Sequence, residues 1–468
     1  MNHRVSLHPA QPSAGFTLLP PQRARWGTSN AVVEETYSDY HVSMDKIIRD
    51  LDGNPLSTEY FATHMGISNV ESYSCPEEDA FRGFMSNACR VKLLPGGESA
   101  FYKCIVFHDL GHAWKKMRIS PFKLARDAKS YEVVANLLKS KAYRDMAEKT
   151  GVKFPKCYDA KLEPNEANPI ESKFSFLLED LTPSDGCYQK WLLDTKEECH
   201  ASLTAFAKIH ALFWHGSSFW NDKNAANEFE DAVWKSGSYV QPHLQNPDQW
   251  KRVASQWETK RMKFQKECSS FDYWDNLGER LQNIAQECGR HAHPFAEDES
   301  FSSEYQQYRT FIHGDPKQAN IFFRRSDESE IAEIALIDYQ WSGFGLAASD
   351  IAHFLTSAVY AEMLEGSGED YLIRYYYDEL QKYLVEYGAF LSVEDARKGY
   401  SYEIFNGQYE TAVLDLCRLI IAVRFEFPTE KGDAPCARTM NDTSYNKSLS
   451  NVVWLLCRCD EILKSRGV

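Results

Sequence analysis

The chain has 468 residues, 43% of them hydrophobic and 25% charged, which suits one large two-lobed unit or several smaller domains with ordinary cores. A net charge of −15 leaves no basic surplus for phosphate contacts and argues against a nucleic-acid partner. No apolar run approaches the roughly 18 residues of a bilayer span, and the twelve cysteines form neither a CxxC pair nor a zinc-like cluster.

Residues 1–33 carry Arg4, Arg23 and Arg25, several prolines and no acid before Glu34. They read as a flexible N-terminal tail, with an organelle transit segment as the alternative. The cysteine scatter otherwise points to a reduced, cytoplasmic setting. Met44 to Leu51 reads as a short helix. Val91, Leu93 and Leu94 lead into the turn Pro95-Gly96-Gly97, and Ala100 to Phe107 returns as a strand, a hairpin signal. Leu124, Ala128, Tyr131, Ala135 and Leu138 recur near a helical period. Phe174 to Leu178 reads as a buried strand that ends at Glu179-Asp180-Leu181.

The pattern then turns helical. Ala201 to Trp214 sets Ala207, His210, Ala211 and Trp214 on one stripe, and further helical stretches run through Phe219 to Cys288. The loop IHGDPKQAN precedes two strands, Asn320 to Phe323 and Ile331 to Ile337, joined by a charged turn. Helix resumes from Asp350, with Ile351, Phe354, Leu355 and Ala358 on one face. Strands followed by helices predict an α+β fold in two lobes.

Three residues around that loop carry a chemistry. A hairpin from Asn320 to Asp338 brings its ends side by side, so a carboxamide and a carboxylate meet on neighbouring strands. Such an oxygen pair suits Mg²⁺. Asp315, on the same loop, is free to take a proton from an attacking hydroxyl. A base beside an Asn/Asp metal pair is a phosphoryl-transfer arrangement. That reaction also needs a cation on the nucleotide phosphates. Lys103 lies mid-strand in AFYKCIVF, where a lysine is costly unless paired or functional, and Glu132 on the following helix is its expected partner. In the glycine-poor turn GFMSNACRV, Ser86 and Asn87 are the candidate phosphate donors.

LLEDL (Leu177 to Leu181), AKIHALFW (Ala207 to Trp214), HGDPKQANI (His313 to Ile321), LIDYQW (Leu336 to Trp341) and SDIAHFL (Ser349 to Leu355) occur in this order. The series resembles the choline kinase-like and aminoglycoside phosphotransferase superfamily, and within it the ecdysteroid kinase-like group. The resemblance implies a protein-kinase-like fold: a small β-rich N-terminal lobe that binds nucleotide, 34–180, and a larger helical lobe with catalytic loop and acceptor pocket, 181–468. It implies ATP and Mg²⁺ as cofactors. By position Asp315 resembles the catalytic base, Asn320 and Asp338 the metal ligands, and Lys103 with Glu132 the phosphate-binding pair. The backbone around Glu179 and Leu181 resembles the adenine hinge. Asp350 resembles a structural aspartate that holds the loop or caps its helix, and His210 a core histidine.

The implied activity is transfer of the γ-phosphate to a hydroxyl of a small, steroid-like or apolar alcohol, with Trp341 and Phe344 as candidate pocket floor. Choline, ethanolamine or aminoglycoside acceptors are the alternative, as is an inactive binding protein of the same fold. The short span from Asp338 to Ser349 leaves no room for an activation segment, which argues against a protein substrate. Nothing in the pattern specifies an oligomer.

Overall fold

A computed structural model describes residues 48–75, 80–82, 87–107, 121–181, 186–241, 244–245, 249–266, 275–326, 330–422 and 444–468. The tail 1–33 lies outside these, as do Gly83 to Ser86 and most of the polar stretch 428–445. Where the expected helix 44–51 is described, it is not helical. The Asp50 carboxylate accepts from the amides of Asp52 (3.0 Å) and Asn54 (2.8 Å), and this local turn outcompetes a helix.

The N-terminal part is built on an antiparallel sheet of β1 (Val70–Ser74), β2 (Ala80–Arg82), β3 (Asn87–Pro95), β4 (Ser99–Val106), β5 (Cys157–Glu163) and β6 (Lys173–Glu179). Its order is β1-β3-β4-β6-β5, with β2 on β3. The expected hairpin is β3–β4, with Val91 opposite Ala100. One face is covered by α1 (Thr58–Met65), which brings Phe61 onto Val91, Leu93, Tyr102 and Leu177. The other is covered by α2 (Pro121–Lys139). There Phe107, Tyr131 and Phe174 form an aromatic triad, with centroids 5.8–6.3 Å apart. Being covered on both faces, β6 buries Phe174, Ser175, Phe176 and Leu177 consecutively.

After β7 (Cys187–Tyr188) the chain is mostly helical: α3 (Lys196–Leu212), α4 (Lys223–Ala232), α5 (Leu277–Ala292), α6 (Ala347–Ala358), α7 (Gly368–Glu386), α8 (Tyr402–Ala422) and α9 (Leu449–Ser465). Two small sheets interrupt it, β8 (Arg309–Ile312) with β11 (Gly343–Leu346), and β9 (Ile321–Arg325) with β10 (Ile331–Leu336), the latter joined by β7. Every residue of α6 is buried, as expected of a helix that is apolar around most of its circumference. Full burial of side chains such as Ile351, Phe354 and Leu355 is worth about 1.5–3 kcal/mol each. The architecture is therefore α+β, with an antiparallel sheet first and helices after it. Among the described residues no helix is long and apolar enough to cross a membrane.

Candidate active site

The loop between β8 and β9 is fixed at both ends. Ile312 pairs with Gly343, and Ile321 with Leu336. The Ile337 amide donates to the Asn320 carbonyl at 3.0 Å, so Asn320 and Asp338 end up at the same end of the hairpin. Gly314 sits at φ +78°, and a Cβ there would lie 2.2 Å from the Trp341 carbonyl and 2.6 Å from the Ser238 nitrogen. Only glycine fits that approach. The His313 and Gly314 amides both donate to the buried Asp350 carboxylate, at 2.7 and 2.9 Å. The Asp315 amide donates to His313 Nδ1 at 3.3 Å. The proton is therefore on Nε2, which donates to the Ile337 carbonyl at 2.9 Å. His313 thus ties the loop to the strand end that carries Asp338.

Asp315 is 3% exposed. Its Oδ2 accepts an ion pair from Lys317 at 3.0 Å and a longer hydrogen bond from Asn320 Nδ2 at 3.5 Å. Asn320 Nδ2 also donates to the Asp315 carbonyl at 2.8 Å. With its amide nitrogen so committed, Asn320 has its oxygen left for a cation. Asp338 adopts φ +65°, a backbone state that costs a non-glycine residue about 1–3 kcal/mol and clusters at functional sites. Among the described residues one other non-glycine residue has positive φ, Ser238 at +81°. Its amide bonds the Trp341 carbonyl at 2.8 Å. Burial pushes the Asp338 carboxyl up, but the charges of Lys103 and Lys317 outweigh it and hold the group below its ordinary value. Burial pushes Lys317 down, and Asp315 and Asp338 more than restore it. An ionised carboxylate beside a carboxamide oxygen fits a hard cation. Among the described residues they join no cluster of three or more His, Cys, Asp or Glu, so phosphate oxygens and water would complete the shell.

Lys103 reaches from β4 to Asp338, with Nζ 3.3 Å from Oδ1. The expected Lys103–Glu132 pair is not formed. Glu132 pairs with Lys129 at 2.6 Å, one turn away on its own helix. The α2 residue that faces Lys103 is Tyr131, whose ring lies 5.3 Å from Nζ. Successive helix residues point about 100° apart, so with Tyr131 turned to the lysine Glu132 is turned aside, towards Lys129. Asn87 opens β3, where its backbone pairs with Arg82 and Cys104. Ser86 lies outside the described residues. Glu179 ends β6, and its carboxylate is committed to Lys153 at 2.5 Å, which leaves only main-chain groups to face a nucleotide. Leu181 packs with Cys187, Ala335 and Ile337, beside the strand that leads to Asp338.

The expected pocket floor is not formed by Trp341 and Phe344. Trp341 is 7% exposed, stacked on Trp234 (6.1 Å, 16°), with the Arg126 guanidinium 5.2 Å from its ring centre. Phe344 is core, packed against Phe229. Asp350 holds the loop between β8 and β9 rather than capping α6. It also accepts from His210 Nε2 at 3.3 Å, and His210 Nδ1 meets the Tyr376 hydroxyl at 2.6 Å, so His210 is a core residue.

Two residues of the site carried no sequence signal of their own. Lys317 is visible only as a cation two positions after Asp315. His353 lies on α6 one turn after Asp350, with Nε2 3.9 Å from Asp315 Oδ1. Burial holds the His353 ring down, against the raising effect of Asp315 and Asp350, to about 4 from an ordinary 6.5. Between those values the unfolded chain binds a proton that the folded protein does not, so stability falls as pH drops from 6.5 towards 4. With His353→Phe, unfolding free energy from urea titrations should lose less across that window, by up to about 3 kcal/mol. An unaltered slope would assign the acid sensitivity to other groups.

The model of the ecdysteroid kinase-like family matches residues 107–388, more than half of the chain. The match includes Asp315, Lys317, Asn320, Asp338 and His353, and begins just after Lys103. No curated protein matches the chain. Among solved structures, a Plasmodium vivax ethanolamine kinase aligns at 13% identity, with a TM-score of 0.39, over 87% of this chain and 88% of its own. An amicoumacin kinase in complex with AMP-PNP, Ca²⁺ and Ami aligns at 10% identity, with a TM-score of 0.38, over 84% and 90%.

Proposed function

The chain belongs to the ecdysteroid kinase-like family, and from that premise we propose that it transfers the γ-phosphate of ATP to a hydroxyl of a small, apolar, steroid-like alcohol. The family supports the class, a small-molecule phosphotransferase; the acceptor is our reading. The observation that carries it is the convergence of Asp315, Lys317, Asn320, Asp338 and Lys103, drawn from both lobes, at one strand end. In this reading Asp315 accepts the proton of the acceptor hydroxyl. Asn320 Oδ1 and the Asp338 carboxylate hold Mg²⁺, which when bound neutralises charge on the phosphate oxygens. Lys317, beside both aspartates, and Lys103 hold phosphate oxygens by charge-assisted hydrogen bonds. The main chain from Glu179 to Leu181 holds adenine.

A quaternary ammonium acceptor such as choline would need an open aromatic face. The Trp341 ring is already covered by Trp234 and Arg126, which favours the apolar alcohol over choline. The test is magnesium-dependent ATP consumption with pooled sterols, choline, ethanolamine, aminoglycosides and sugars. Turnover with a sterol and none with the cationic acceptors is expected. Turnover with a cationic acceptor alone would overturn the acceptor assignment.

Lys103→Met should lower kcat/KM for MgATP by about 10- to 100-fold, the worth of one charge-assisted hydrogen bond of roughly 1.5–3 kcal/mol. Initial rates against MgATP concentration would measure it. Unchanged constants would leave Lys103 as a structural partner of Asp338 alone.

A further inference from the structure

His353 is buried and, among the described residues, has no hydrogen-bond partner on either ring nitrogen. Buried polar groups rarely stay unpaired. Two places near the ring are open to a partner. On one side Nε2 stands 3.9 Å from Asp315 Oδ1, too far for a direct hydrogen bond. On another the ring lines a small hollow with Ser238, His293, Ser349 and Asp415, with space for about one water molecule. The far wall of that hollow is already paired. His293 Nε2 meets Asp415 Oδ2 at 3.1 Å, and Arg418 Nε donates to Asp415 Oδ1 at 2.7 Å.

Asp315 divides its carboxylate between these neighbours. Oδ2 takes Lys317 and Asn320. Oδ1, the oxygen left for an incoming proton, has His353 as its polar neighbour among the described residues. Tyr239 meets the ring edge-on at 5.4 Å and 67°. Tyr239 follows Ser238, whose left-handed backbone is pinned to the Trp341 carbonyl.

We propose that His353 holds the acceptor hydroxyl against Asp315, a role that rests on the kinase reading above. An oxygen about 2.8 Å from both atoms would subtend an angle of about 90° between them, within reach of one accepted and one donated hydrogen bond. Nε2–H donates to the acceptor oxygen, and the acceptor O–H donates to Asp315 Oδ1. During transfer a bond forms between that oxygen and the γ-phosphorus. The bond from the γ-phosphorus to the β–γ bridging oxygen breaks, and its electron pair leaves with ADP. The hydroxyl proton passes to Asp315 Oδ1, and His353 remains neutral throughout. Nδ1 accepts from a water in the hollow. This arrangement fixes the nucleophile's lone pair as well as its proton, which a carboxylate alone does not do.

The test pairs a structure with kinetics, using Mg–AMP-PNP and water as the smallest acceptor. A crystal structure with Mg–AMP-PNP should show one ordered oxygen within hydrogen-bond distance of both His353 Nε2 and Asp315 Oδ1. Direct closure of the two side chains onto each other, or no oxygen between them, would overturn the proposal without any variant having to fold. In steady-state ATP hydrolysis, His353→Phe should lower kcat by about 10- to 100-fold with KM for MgATP unchanged. His353→Gln, which keeps an N–H donor, should recover most of the loss. A folded His353→Phe variant with wild-type kcat, or a loss that appears only in KM, would overturn it. If calorimetry showed that the wild-type protein does not bind Mg–AMP-PNP at all, the kinase reading beneath it would fall instead.

Discussion

Asp315→Asn is expected to lower kcat for phosphoryl transfer by about 10²–10⁴-fold, the range contributed by a positioned general base. The substitution is nearly isosteric in a site where the side chain is 3% exposed, so the loop should keep its shape. Its hold on Asp350 runs through the amides of His313 and Gly314 and not through Asp315. What is lost is a proton acceptor and the anionic partner of Lys317. Lys317 then has Asp338 as its remaining acidic influence. Nucleotide affinity should therefore stay close to wild type while turnover collapses. Calorimetry with Mg–AMP-PNP and product formation with the identified acceptor separate the two. A variant that keeps more than a tenth of the wild-type rate would remove Asp315 from the base role and leave it as a tether for Lys317 and Asn320.

The site divides by how far along the chain its evidence lies. Asp315, Asn320 and Asp338 share one loop and one hairpin, and hairpin geometry follows from strand pattern and turn residues, so their meeting could be read from the residues alone. The Ile321–Leu336 register bears out that reading of the backbone. Lys103 could be singled out as a lysine in an apolar strand, but not its neighbour. Which α2 side chain faces it depends on the rotation of that helix about its axis, and the rotation is set by Tyr131 packing on Phe107 and Phe174. His353 reads as one of five polar positions in the α6 sequence AASDIAHFLTSA, with nothing to single it out from Ser349, Asp350, Thr356 and Ser357. Its closeness to Asp315 exists only because α6 lies beneath the loop between β8 and β9 and Asp350 pins the two together. The segment at Ser238 is less legible still. Its strained backbone answers to the Trp341 carbonyl, a contact between distant parts of the chain. Trp341 illustrates the opposite error. The expectation makes Trp341 pocket floor, whereas Trp234 and Arg126 cover its ring. The helix expected at 44–51 is absent over its described part, 48–51, where the Asp50 carboxylate competes for the backbone amides.

Asp350→Ala should destabilise the fold by about 3–5 kcal/mol, since each buried donor left unsatisfied costs about 1–3 kcal/mol. Asp350 is 1% exposed, and its two oxygens serve three donors: the amides of His313 and Gly314, and His210 Nε2. Alanine leaves all three without an acceptor in a region closed to water, and each unsatisfied group adds to the loss. Chemical denaturation would read the change directly. A loss below about 1 kcal/mol would mean that water or a neighbouring carbonyl replaces the carboxylate. The same residue gives the fold an acid limb. Burial raises its carboxyl, but His210, His313 and the Gly314 amide outweigh burial and hold it below the ordinary 3.8. A depressed folded value means that its stabilisation is fully present above pH 3.8 and is lost as pH falls through the folded value. Asp350→Asn separates the two contributions. It keeps an oxygen for one loop amide and cannot titrate, so it should recover part of the stability while removing the acid dependence that this carboxylate supplies. Because the loop that carries Asp315 hangs on the same oxygens, both variants should lose turnover in proportion to their loop order. In Asp315→Asn, by contrast, turnover falls with the fold intact, and that contrast distinguishes the residue that builds the loop from the residue that uses it.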